Sequence, residues 1–516
     1  MESRSAGEHN THEQRASPNS SASSSPAPVD LLLSGGTVVT VDQDRRIVED
    51  GAVAIDAGRI VAVGTTDELG QQFVGRETID CRGKAVLPGL IDAHGHGGHS
   101  LIKTIGADTP SLWMRIVTPT YFHFTTPEYW YADGLVSALE RLRFGVTCGV
   151  SVMGSMPRSD DPRIGVNHAR AYGEVGVREI VCVGPCAPPW PHPVSTWDQG
   201  VREEKLVKFD EVMAGAEAVI ESCNHAADDR IRAFITPFTI VTSVDPSSPT
   251  PSDLATALTE HDRLQSRRVR EIASRWKTRI HSDAFAGMVR MAVQDEWALL
   301  GPDVHIQHLR GISLDEVQIL AETGTHAAHA ASSNQANGRC PVPELMQAGV
   351  NVAITTDGTS PKVSFDLFQA MRRAQMVHQL MSRDMFLLPP GKLLETVTID
   401  AAKALGWDDE IGSLEAGKKA DVIVVDLRQP HLTPNFMVVH RLIYEAVGND
   451  VETVIVDGRV LMRGRKVLTV DEGGALDLGQ EESLKLIERA GLQRHLHEPG
   501  WGKVRLAFDA PVELPR

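Results

Sequence analysis

The sequence predicts an α/β protein: a (β/α)8 TIM-like barrel carrying a small β-sandwich built from both ends of the ordered chain. Three observations predict it. Apolar strand-like runs alternate with helix-like stretches from Ala85 to about residue 409. A glycine-punctuated β texture stands before that region and returns after it. Histidines and an aspartate fall at the ends of the predicted strands, where a barrel collects its functional groups.

The elements follow in order. Residues 1–29 form a tail; eight serines and three prolines within 1–28, with no apolar periodicity, predict disorder. DLLLSGGTVVTVD and GAVAIDAGRIVAVG read as short strands, giving residues 30–84 as half of the sandwich. Residues 85–409 are the barrel. VTCGVSVMG, REIVCVG, IRAFITPFTIV, TRIHSDAF, DVHIQHL, THAAHA and NVAITTDG are its later strands, separated by stretches such as TPEYWYADGLVSALERLRFG with helical spacing. GSLEAGKKADVIVVDL and VETVIVDGRVLMRGRKV make residues 410–475 the second half of the sandwich, and 476–516 are a C-terminal extension with a helix-like start.

The chain has 516 residues, a formal charge of −17 and 42% apolar residues. That apolar share excludes wholesale disorder. The negative charge argues against binding nucleic acid or an anionic membrane, since both need a basic face. No apolar run reaches the ~18 residues of a membrane span, and MESRSAGEHNTHEQR lacks the apolar core of a signal peptide. A cytoplasmic protein with a small-molecule partner is the expectation, assembled as a homo-oligomer. Six cysteines are too few for a disulfide framework in a chain this long, so they are expected to be small buried hydrophobes.

The chemistry lies at the strand ends. The first barrel strand ends in His94-Gly95-His96, and residues two apart on an extended chain share a face, so both imidazoles can reach one ion. His281 lies in RIHSDAF, His308 in HIQHLRG and Asp357 in ITTDGTS. One such residue is ordinarily a hydrogen-bonded loop group; a set of five at the ends of four predicted strands points to a metal site. His99 and His305 read as loop or packing residues.

At these residues the chain resembles the amidohydrolase superfamily, within it the cytosine-deaminase-like and triazine hydrolase branch, near the urea and thiocarbamate herbicide hydrolases. The resemblance covers about residues 30–470. It implies that His94, His96, His281 and Asp357 bind one divalent metal ion, foremost Zn2+, with Fe2+, Co2+ or Mn2+ also suited to the donors. It implies that a water activated by the ion attacks the substrate, that Asp357 carries the proton and that His308 steadies the water or the substrate. Binuclear members bridge two ions with a lysine or carboxylate at strand three or four; REIVCVGPCAPP and IRAFITPFTIVTSV have no lysine, and Glu179 stands at the wrong end of its strand. A mononuclear site is therefore expected.

One departure shapes the substrate expectation. Deaminases of this branch carry a glutamate three residues after the strand-five histidine, to protonate a ring nitrogen; here that position is Ala284. Asp283 precedes it and would face away from Ala284's side. The expected substrate is accordingly an amide, urea or carbamate of a small apolar or aryl-bearing molecule. The alternative is an N-heterocycle deaminase or dechlorinase, and a third reading is a catalytically inactive structural homologue. His329, in THAAHAASSN, is expected to line the pocket. Trp113, in an aromatic-rich stretch that includes Tyr121, Phe122, Phe124, Tyr129, Trp130 and Tyr131, and Trp190, in the Pro-rich PCAPPWPHP, are candidates for holding an aryl group. The other use of such residues is a subunit interface.

Overall fold

The computed structural model describes residues 25–105, 119–244, 257–331, 338–361 and 363–496. Eight parallel strands run side by side: Leu90–Asp92, Val146–Met153, Arg178–Val183, Ile231–Ile235, Ile280–Phe285, Val304–Arg310, His326–His329 and Val352–Ile354. A two-residue strand, His96–Gly97, continues the first and pairs with Val152 and Met153 of the second. A parallel bridge from Gly95 to Asp357 joins the first strand to the eighth and closes the barrel. The predicted TIM-like barrel is the fold observed. Its strands are largely apolar because both faces are covered; every residue of Val146–Met153 and of Arg178–Val183 is buried, the charged Arg178 and Glu179 included.

The helices start where local chemistry dictates. Thr126 caps the helix Pro127–Arg143 by accepting the Tyr129 N–H, and the proline loses no helical donor at that position. Thr259 with Asp262, and Ser313 with Glu316, form capping boxes ahead of Glu260–Trp276 and Leu314–Thr323.

The two chain ends build one nine-stranded sheet beside the barrel. Its seam is Val422–Asp426, which pairs antiparallel with Lys84–Pro88 on one edge and with Val451–Val456 on the other. Leu31, Leu33, Val53 and Ile55 share one apolar core with Val422, Val424 and Ile455, so neither end could bury its strands alone. The first strand begins at Ala27, and Ala27–Val29 pair with Phe73–Gly75, so these three residues of the expected tail belong to the sheet. Arg178 of the third barrel strand, fully buried, donates to both oxygens of Asp421 at 2.7 and 2.8 Å and ties the sheet to the barrel.

A hairpin after the third strand is not expected from the sequence, and the helix-like start of the C-terminal extension is observed as a helix that begins four residues earlier, at Glu472. The hairpin, His192–Asp198 with Val201–Val207, turns at Gln199-Gly200, both with left-handed φ. The Asp-Gln-Gly sequence at its tip is the signal that sequence reading passed over. The helix Glu472–Arg489 braces the helix Pro127–Arg143: Arg143 pairs with Glu472 at 2.6 Å, and Ser483 donates to the Leu101 carbonyl. All six cysteines are free and buried; burial pushes the Cys182 thiol up to about 12. Among the described residues no helix is long and apolar enough to cross a membrane.

Candidate metal centre

His94, His96 and Asp357 converge at the barrel mouth. Asp357 Oδ1 stands 3.4 Å from His94 Nε2 and 3.2 Å from His96 Nε2. Strand pairing sets this convergence, because Asp357 donates its N–H to the His94 carbonyl and is bridged to Gly95.

Hydrogen bonding at the far side of each ring fixes what faces the centre. His96 Nδ1 lies 2.6 Å from the Gly154 carbonyl, so that nitrogen carries a proton; Nε2 is a lone pair in the neutral ring, and although burial disfavours the charged form, the facing Asp357 carboxylate raises the ring above its usual value. His281 Nδ1 likewise donates to the His305 carbonyl at 3.1 Å, leaving a lone pair at Nε2. That lone pair meets His94 Nδ1 at 2.7 Å, so His94 donates there and its own Nε2 is a lone pair too. His94 Nε2 is buried with no hydrogen-bond partner among the described residues. Two imidazole lone pairs and a carboxylate oxygen thus face one another, an arrangement that calls for a cation between them. The separations fit one ion, since tetrahedral ligands with 2.0–2.1 Å bonds lie about 3.3 Å apart.

A second group shares His94. The Asp283 and His308 side chains, with Oδ2 to Nε2 at 3.7 Å, lie close enough to His94 for the three donor atoms to fall within 4.8 Å of one another. Asp283 therefore turns into the site. This corrects the expectation that it faces away: Asp283 is two residues from His281 and shares its face, as His96 shares that of His94. Ala284 is buried on the other side. His308 leaves regular strand geometry, with φ of 73°, and its Nδ1 is buried without a partner among the described residues.

The charges suit these contacts. Burial lowers the ring of His94 to about 4 and that of His308 to about 3, and holds His281 well below the usual range. Burial opposes ionisation of Asp357, but its contacts with the His94 and His96 rings hold its carboxyl well below the usual carboxylate range. Asp283 is pushed up to about 7, by burial first and by the charge of Asp357 next.

The remaining sequence candidates fall as follows. His305 stacks on His281, centroids 4.1 Å apart, and donates from Nε2 to the Ala93 carbonyl; it packs against the site from below. His99 stacks between His96 and Tyr121. His329, buried at the end of its strand, meets His378 Nε2 to Nε2 at 3.1 Å. Trp190 packs against Phe209, His192 and His261, and among the described residues no ring contact links it to the histidine–aspartate cluster. Trp113 lies outside the described residues. The other aromatics serve packing: Tyr121, Tyr129 and Trp130 are buried, and the hydroxyls of both tyrosines donate to the Gly98 carbonyl. Glu179, at the start of its strand as expected, accepts from His168 Nδ1 at 2.6 Å.

Comparison with known proteins identifies the family. The model of the amidohydrolase family matches residues 255–461, and an imidazolonepropionase-like composite domain of bacteria matches residues 51–73. The chain is similar to a 5-methylthioadenosine/S-adenosylhomocysteine deaminase of Desulforudis audaxviator, 32% identical over 444 residues, covering 85% of this chain and 95% of the relative. It is 28% identical over 476 residues to a 5'-deoxyadenosine deaminase of Methanosarcina mazei, covering 89% of this chain and 99% of that one. Among solved structures, a zinc-bound adenosine deaminase from Xanthomonas campestris superposes with TM-score 0.75 at 25% identity, covering 90% of this chain and 100% of the other. A zinc-complexed atrazine chlorohydrolase from Arthrobacter aurescens shares the fold, with TM-score 0.71 at 21% identity over 88% of this chain and 100% of its own. The chain belongs to the amidohydrolase family. It is a metal-dependent enzyme that hydrolyses carbon–nitrogen bonds other than peptide bonds.

Proposed function

We propose that the chain is a zinc-dependent deaminase that replaces the ring amino group of an adenosine-type nucleoside by oxygen and releases ammonia. The observation that carries this reading is Asp283. A ring-attacking hydrolase needs an acid beside the ion to protonate a ring nitrogen, and the side chain two residues past His281 reaches that place. The expectation of an acyclic amide or urea rested on Ala284, and Asp283 removes its ground. The named activities of the relatives support the same alternative.

His94, His96 and Asp357 would hold the ion; His281 is the fourth ligand in the family's arrangement, and in the structure its Nε2 accepts from His94 Nδ1 at 2.7 Å. When bound, Zn2+ supplies the Lewis acidity that makes water a nucleophile near neutral pH. The Asp357 carboxylate takes a proton from the attacking water and returns it to the departing amine. Asp283 donates to the ring nitrogen as electrons move onto it. His308 orients Asp283 from 3.7 Å and offers its unpartnered Nδ1 to the substrate. His329 lines the pocket, steadied by His378.

The test is incubation of zinc-loaded protein with 5'-methylthioadenosine and 5'-deoxyadenosine, with mass spectrometry of the product. A base carrying oxygen in place of the amine, with equal ammonia, is the expected result. An intact base alongside rapid hydrolysis of an aryl urea would return the assignment to acyclic substrates.

A further inference from the structure

We propose that Arg141 is a positioning residue for the ion-binding groups, and that residues 149 and 95 are glycines in order to admit its guanidinium. The proposal rests on the reading of His94, His96 and Asp357 as ion ligands.

Arg141 lies in the last turn of the helix Pro127–Arg143 and is completely buried in the barrel wall. Its Nη1 donates to Ser151 Oγ at 3.0 Å and to the Tyr172 hydroxyl at 2.8 Å. Its Nη2 donates to the Val150 carbonyl at 2.6 Å and to Asp92 Oδ2 at 3.3 Å. The guanidinium carbon sits 4.1 Å from the centroid of the Phe365 ring. Asp92 in turn accepts from the Thr356 backbone N–H at 3.0 Å and from the Thr356 hydroxyl at 2.7 Å.

The consequence is positional. Asp92 lies two residues before His94, and Thr356 immediately precedes Asp357. Val152, next to Ser151, donates its N–H to the carbonyl of Gly95, between the two histidines. One cation therefore stands behind every segment that carries a converging ligand. The two glycines make its room. A Cβ at residue 149 would lie 2.4 Å from the guanidinium carbon and from Nη1, and one at residue 95 would lie 2.5 Å from Nη2. Neither glycine has a left-handed φ, so space and not backbone conformation accounts for them. A buried ion pair is a weak source of stability because desolvation offsets its attraction. Placing ligands is the use that this arrangement serves.

The test uses the full-length protein. It measures Zn2+ affinity by competition with a chelator, the visible spectrum of the Co2+-substituted protein and thermal melting. Gly149→Ala keeps every charge and displaces only the guanidinium; it is expected to weaken Zn2+ binding about 10–100-fold and to alter the Co2+ spectrum. Asp92→Asn with Arg141→Leu removes both charges together and is expected to do the same. Adding Gly149→Ala to that pair should change the affinity less than about twofold, because the methyl then has room. Arg141→Lys keeps the charge but fewer donors, and its affinity should fall between wild type and the double variant. Wild-type affinity and spectrum in Gly149→Ala, or a full additional loss when it joins the double variant, would overturn the proposal. Should Gly149→Ala not fold, the order of Arg141→Lys and the double variant decides, and equal affinities overturn it. A wild-type protein that takes up no Zn2+ would instead sink the ligand reading itself.

Discussion

Three histidines of the barrel mouth and one in the barrel wall behave oppositely. His94, His281 and His308 are held neutral because burial dominates and few charges meet them. His168, on the helix Arg163–Val175, is also completely buried, yet its ring is raised to about 9. Burial lowers it, but Glu179 at 2.6 Å and Asp133 at 3.3 Å more than offset that. Asp133 meanwhile accepts the N–H groups of Gly98 and Ser100, just past the histidine pair. Partners, and not depth, decide whether a buried imidazole is a ligand or a fixed cation. A metal site needs the first kind, and a wall that holds a loop can use the second.

The contrast can be broken hardest at the mouth. His96→Ala removes a converging lone pair and should cost nearly all bound zinc, with turnover down by more than about 10³-fold; a variant that keeps both would refute the site. His281→Ala, read by metal content, tests the fourth ligand in the same way.

Next comes the acid. Asp283→Asn should lower kcat on a ring substrate about 10²–10⁴-fold while metal content is maintained. Unchanged kcat would mean that another group protonates the ring.

The wall gives a smaller effect with a definite sign. The folded value of His168 lies above the ordinary ~6.5 of an unfolded histidine. Its stabilisation is thus complete below about pH 6.5 and is lost as pH rises through about 9. The loss is on the order of 3 kcal/mol. Melting temperature should fall across that window in wild type, and His168→Gln should flatten the fall. The groups facing His168 are Glu179, Asp133 and the stacked ring of Tyr172; His96, beside Asp357, is raised as well, so the difference between wild type and His168→Gln is what reads His168. Trp190→Phe should matter least: with its contacts on Phe209, His192 and His261, kcat/KM should stay within about twofold.

The barrel was legible because its strands are apolar runs broken by capped helices, a signal that periodicity reads directly. His94, His96 and Asp357 were legible because strand ends in a barrel gather at one mouth. Asp283 was legible in principle, since spacing two from His281 carries the same information as His94 and His96. Comparing it with Ala284 instead of His281 put it on the wrong face. His308 was legible as a strand-end residue, but its left-handed φ, which breaks the alternation that sequence reasoning assumes, needed the structure. Arg141, Asp133 and His168 sit on helices, where no local pattern marks a residue that reaches through the wall. Trp190 looked like a pocket residue by type, yet type does not distinguish an aryl-binding tryptophan from one that packs a hairpin.

The central claim is that this site deaminates an adenine-type ring. The most direct measurement compares kcat/KM for ammonia release from 5'-methylthioadenosine with that for amine release from an aryl urea, using one zinc-loaded preparation. The account predicts a nucleoside value at least about 10²-fold higher, and a ratio that collapses in Asp283→Asn. A higher value for the urea, unaffected by Asp283→Asn, would contradict it.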